Sequence, residues 1–159
     1  MTTRIKVDDY CAEWLRAKYA GDDGIIYLPD DLDLYHLLWD LMARRPVDVS
    51  PIDEGNIEIF LPCRREGKKP STFNYIYPKS QRLFNQKVKS LISLDLHTYV
   101  EAMCSRGIML IDAIDQYKLR YQIDSISDEA LLKNIQRWRN KLYMRSYRRK
   151  YKSKGKKRC

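Results

Sequence analysis

Asp128-Glu-Ala-Leu-Leu-Lys-Asn-Ile-Gln-Arg-Trp-Arg-Asn-Lys-Leu142 carries the pattern from which the fold is read. At about 100° per residue, Leu131, Ile135, Trp138 and Leu142 fall in one sector of a helix, with Lys133, Arg137 and Lys141 on the other side. The segment reads as a helix docked on a body through its apolar stripe, its basic face outward. Further on, Arg145 and Arg149 land on the former apolar stripe. Burying an unpaired charge there costs several kcal/mol, so the helix is expected to leave the body from about Met144.

The charge distribution follows the same division. Residues 133–159 hold 13 of the 30 Lys and Arg and no Asp or Glu, which leaves 17 basic and 21 acidic side chains before them. A slightly acidic body therefore carries a strongly basic arm. A block of like charge repels itself and gains most from a dense array of opposite charge, of which nucleic-acid phosphate is the commonest.

The rest of the chain reads as one helical domain with a minor β element, over residues 1–143, followed by the arm over 144–159. Ile5 and Val7 alternate. Asp8 or Asp9 then caps a helix bearing Tyr10, Cys11, Trp14, Leu15 and Ala17, ended by Gly21. Ile25–Leu28 predicts a strand. Leu34, Leu37, Leu38 and Leu41 form the buried face of a second helix, with Arg44 and Arg45 in its last turn and Pro46 as its stop. After Pro78 the spacing predicts a helix from Ser80 (Phe84, Val88, Leu91 inward). A second follows from Asp95 (Leu96, Tyr99, Val100, Met103), and a third over 108–121 (Ile108, Ile111, Ile114, Tyr121).

Between these helical parts, Ile57, Ile59 and Leu61 alternate, as do Phe73, Tyr75 and Tyr77, predicting a β-hairpin over 56–78. Its tip would hold Arg64, Arg65, Lys68 and Lys69. In arrangement this resembles the wing of winged helix proteins, and the resemblance implies that these four cations grip backbone phosphate. The order departs from that family, in which the hairpin follows the recognition helix.

The helix–linker–helix from Ile108 to Tyr143 has the outline of a helix-turn-helix, with Asp128–Leu142 as recognition helix. Its linker, Ile123-Asp-Ser-Ile-Ser127, is long and lacks glycine, and an antiparallel pair in any bundle gives the same pattern. The basic face is what favours the DNA-binding version. On the arm, Tyr143, Tyr147 and Tyr151 recur at i+4 among the cations, a pattern suited to stacking on bases. Packing against a second subunit, in a homodimer, is the competing reading.

Catalytic and metal-binding chemistry finds no support. Cys11, Cys63, Cys104 and Cys159 are scattered without a CxxC pair, and only His36 and His97 accompany them, so neither a metal nor another cofactor is expected. Asp30, Asp31 and Asp33 near His36 are explained as acids at a helix start. Glycine-rich phosphate loops and nucleophile motifs are absent, and no apolar run reaches the ~20 residues of a membrane span. The first residues lack the apolar segment of a secretory signal, so a cytoplasmic, nucleic-acid-associated protein is expected.

The expectation is a non-enzymatic nucleic-acid-binding protein, with duplex DNA favoured and a role in regulation, replication or the life of a mobile element. Lys133, Arg137, Arg139 and Lys141 would orient it. Arg145, Arg148, Arg149, Lys150, Lys152, Lys154, Lys156, Lys157 and Arg158 would track phosphate, beside Tyr143, Tyr147 and Tyr151. An RNA or ribonucleoprotein component and an adaptor for an acidic protein partner are the alternatives.

Overall fold

The computed structural model describes residues 1–50 and 52–155, with side chains followed as far as Lys152. Lys156, Lys157, Arg158 and Cys159 lie outside the described residues, as does the side chain of Lys154. The elements run β1 (Thr2–Ile5), α1 (Asp9–Tyr19), α2 (Asp33–Leu41), β2 (Ile57–Phe60), α3 (Pro78–Ser105), α4 (Leu110–Tyr121) and α5 (Asp128–Gly155). The chain is mainly α with one small antiparallel β element, as its periodicity predicts.

The strand pairing corrects the expected hairpin. β2 pairs antiparallel with β1, in register Thr2↔Phe60 to Ile5↔Ile57, and not with residues 72–78. This pairing buries Ile5, Ile57 and Ile59 together on one face. Residues 72–78 make a single bridge instead, Tyr75 to Ala43, closed by hydrogen bonds of 2.9 and 3.1 Å. Ile76 turns into the core while its neighbour Tyr77 stays 44% exposed, since successive residues of an extended segment point to opposite sides. Residues 25–28 are likewise no strand. Ile26 alone joins the sheet, its N–H donating to the Glu58 carbonyl and its own carbonyl accepting from Phe60.

The cations of residues 64–69 are therefore not at a hairpin tip, and the wing-like arrangement is absent. This segment folds over α2. Lys68 donates to the carbonyls of Trp39 and Asp40 at 3.2 and 2.6 Å, supplying the positive charge that the C-terminus of α2 attracts. Arg44 and Arg45, expected in that last turn, lie beyond it because the helix ends at Leu41. Arg64 stacks over Trp39 at 4.4 Å and donates to Nδ1 of the exposed His36. Gly67 has φ +94°, and a Cβ there would come within 2.7 Å of the Trp39 ring, so the close passage requires glycine. Arg65 and Lys69 remain exposed.

The expected break near Asp95 is also corrected: α3 is one helix of 28 residues, started by Pro78 at its first turn. Phe84, Val88, Ile92, Leu96 and Val100 are all buried, and a four-residue step advances the line about 40° each time. The buried line thus winds around α3, which packs on α1, α2 and α4. Nothing between Ile92 and Leu96 interrupts the period, so Asp95 caps nothing. It sits within the helix and accepts from the Trp14 indole N–H (3.2 Å) and the Tyr117 hydroxyl (3.1 Å).

In α1 the side chains of Cys11, Ala12, Trp14 and Leu15 are buried. Asp8 holds the cap position, but its carboxylate goes to Lys89 (2.5 Å) and Asn85 (3.2 Å) rather than to the helix amides. In α4 the inward residues are Ala113, Ile114 and Tyr117, and Ile111, expected inward, is 60% exposed. Gln122 ends α4 in the left-handed conformation, φ 51°, and the buried Ile123 donates back to the Lys118 carbonyl at 2.9 Å. A polar residue thus performs the turn that glycine usually makes.

Candidate nucleic-acid interface

Two sets of contacts fix α5 before it becomes exposed. At its start, Glu13 of α1 accepts from the Asp124 and Ser125 amides (3.0 and 3.2 Å) and from the Ser125 hydroxyl (2.8 Å), tying down the preceding linker. Lys118 of α4 pairs with Asp128 at 2.7 Å. In the docked turns, Leu131 and Ile135 are buried, and Trp138 stacks on His97 with ring centroids 4.4 Å apart. The His97 Nε2 lies 2.6 Å from Asn134 Oδ1, and the Asn134 amide donates onward to Ser93. His97 is thus a packing group of the α3–α5 seam.

The docked part ends earlier than the apolar stripe suggests. Leu142 is 45% exposed, and every residue from Asn140 to Lys152 is exposed. Arg139 makes the difference. Its guanidinium turns back to Glu101 of α3 at 2.8 Å, and this bond raises its already high pKa. A partly exposed ion pair thus ties α5 to α3 just before Leu142.

The four orienting cations separate accordingly. Lys133 is tied to Glu129 one turn earlier at 2.7 Å, and Arg139 is tied to Glu101. Arg137 and Lys141 are exposed and make no ion pair among the described residues. Beyond them, α5 stays helical through Gly155, so the arm has a defined angular pattern. Arg137, Lys141, Arg145, Arg148, Arg149 and Lys152 share an arc of about 120°, while Tyr143, Met144, Tyr147 and Tyr151 occupy the adjoining arc of about 100°. Tyr147 and Tyr151 lie nearly parallel, at 28° with centroids 6.4 Å apart.

The arm therefore presents two neighbouring stripes, one cationic and one aromatic. With no acid on α5 after Glu129, nothing along it neutralises the cationic stripe internally. Such a surface can hold a polyanion through charge and planar groups through stacking. The α4–linker–α5 pair keeps the expected order, and its outward face carries Arg137 and Lys141. The cations of residues 64–69 join no common surface with the arm in any contact the structure shows.

Among the described residues of α5 beyond Glu129 there is no Asp, Glu, His or Cys. No group of three or more His, Cys, Asp or Glu positioned to hold a metal occurs among the described residues. Cys11 is buried and its thiol is pushed up to about 12 by that burial, which leaves it protonated and unreactive. No helix among the described residues is long and apolar enough to cross a membrane. No protein-family model, curated protein or solved structure shows significant similarity to the chain.

Proposed function

We propose that the chain binds nucleic acid through the exposed second half of α5, with duplex DNA as its ligand. The observation that carries the reading is the solvent-exposed helix from Asn140 to Lys152, which bears six cations, five of them on one arc, and no acid. The docked half holds the helix at a fixed place on the body. The exposed half neutralises phosphate and gains affinity by releasing counterions.

Helical form favours duplex DNA over duplex RNA. The major groove of B-DNA, about 12 Å wide, admits an α-helix, whereas the deep and narrow A-form groove does not. From Asn140 to Gly155 the helix extends about 24 Å at 1.5 Å per residue, enough to lie along a groove and reach phosphates on both sides. Regulation, replication or the maintenance of a mobile element is the setting in which such an activity would serve.

The test is a fluorescence-anisotropy salt titration of duplex DNA, single-stranded DNA and structured RNA, using the full chain and a chain ending at Leu142. If about six cations meet phosphate, the log–log salt slope for duplex is near −5 and the shortened chain loses most of it. Equal binding by both chains would sink the proposal, and tighter binding of structured RNA would replace duplex DNA as the ligand.

A further inference from the structure

A second polar surface lies on the body, built from segments distant in sequence. The paired hydrogen bonds between Ala43 and Tyr75 lock residues 43–45 alongside residues 73–75. Beside this bridge is a cleft of ≈ 660 Å³, lined among others by Arg44, Arg45, Asp53, Ser71, Thr72 and Asn74. Its size falls within the range of small-ligand sites, roughly 300–1,000 Å³.

The charges in the cleft do not cancel. Arg45 is committed: it donates to Asp53 at 2.5 Å and to the Ser50 carbonyl at 2.6 Å, and its guanidinium lies 5.0 Å from the Tyr75 ring centroid. The other oxygen of Asp53 accepts from the Thr3 hydroxyl at 2.8 Å, so both oxygens of this carboxylate have partners. Arg44 has no acidic partner among the described residues. Its guanidinium carbon lies 5.3 Å from the Phe73 ring centroid, a cation–π contact that leaves its N–H groups open. The Ser71 and Thr72 hydroxyls and the Asn74 amide likewise make no side-chain hydrogen bond among the described residues.

We propose that this cleft binds a phosphate group, with Arg44 as the charged donor and Ser71, Thr72 and Asn74 as neutral donors. A guanidinium fork, two hydroxyls and an amide match the several acceptor oxygens of a phosphate. A carboxylate offers two oxygens and would leave part of the set unused. The cleft shares no residue with the arm, so either proposal can fail without the other.

The site is tested on the full chain by amide NMR, titrating inorganic phosphate at constant ionic strength, with acetate as the comparison anion. Saturable shifts at the amides of residues 71–75 are expected with phosphate, lost in Arg44→Gln and weakened in Asn74→Ala. Adding a short DNA duplex or a nucleoside monophosphate identifies the source of the phosphate. Shifts at the same amides with duplex, together with a salt slope smaller by about one in Arg44→Gln, assign it to a nucleic-acid backbone. Shifts with the monophosphate alone assign it to a soluble phosphate ester. Absence of saturable shifts at 71–75 with phosphate, shifts that persist in Arg44→Gln, or equal shifts with acetate would overturn the proposal.

Discussion

Arg139 of α5 closes on Glu101 of α3, its Nε and Nη2 lying 2.9 and 2.8 Å from one carboxylate oxygen. This pair divides one continuous helix into a docked half and an exposed half. It also removes Arg139 from the cations available to a ligand.

Arg139→Gln is accordingly expected to lower stability by about 0.5–1 kcal/mol, the size of a partly exposed ion pair, while hardly changing the salt slope for DNA. The double change Arg148→Gln with Arg149→Gln should do the reverse. It should leave stability within about 0.5 kcal/mol of wild type and reduce the slope by nearly two. Chemical denaturation and anisotropy on the same samples decide it; a slope that falls as far in Arg139→Gln as in the double variant contradicts the geometry.

The aromatic stripe makes a separate prediction. Replacing Tyr147 and Tyr151 together by Ala should weaken binding of single-stranded nucleic acid, whose unpaired bases are open to stacking, by about 1–3 kcal/mol per stacked base, while Phe at both positions should retain most of it. If binding is unchanged in the Ala pair, the tyrosines take no part in recognition and the phosphate contacts act alone.

Asp95 collects the Trp14 indole, the Tyr117 hydroxyl and, at 3.6 Å, the Lys18 ammonium. Asp95→Ala strands the two neutral donors in a largely buried place and should destabilise the fold by about 2–3 kcal/mol. Asp95→Asn keeps an acceptor and should cost about half as much. Urea unfolding followed by tryptophan fluorescence measures both, and an Ala variant as stable as wild type would show that these bonds contribute nothing.

Acid should find the Asp8–Lys89 contact. The Lys89 ammonium, and secondarily Asn85, hold the Asp8 carboxyl below its ordinary value of 3.8 against an opposing contribution from desolvation. A carboxylate with a lowered pKa in the folded state stabilises above the ordinary value and loses that contribution as pH falls through the lowered one. Both side chains are over 40% exposed, so wild type should exceed Asp8→Asn by only about 0.5–1 kcal/mol at neutral pH. The gap should close below pH 3.8, as measured by unfolding at a series of pH values. A gap independent of pH would assign the effect to packing.

Local properties follow from the order of residues: helices wherever apolar residues recur every three or four positions, a short strand at Ile57–Phe60, and a basic segment devoid of acids. These are legible because they depend on neighbours along the chain. Where Arg145 and Arg149 replace the apolar stripe, the desolvation cost of an arginine already requires that α5 leave the body. Tertiary structure alone decided the partners. Ile57 and Ile59 could satisfy their hydrogen bonds with any extended segment, and burial beside Ile5 selected β1 over residues 72–78. Lys68 reaches the end of α2 from a distant loop, and Arg139 is withdrawn from the basic face by a carboxylate 38 positions away. Such pairings depend on which surfaces the packed core brings together, and a linear pattern of charge and hydrophobicity carries no record of that distance.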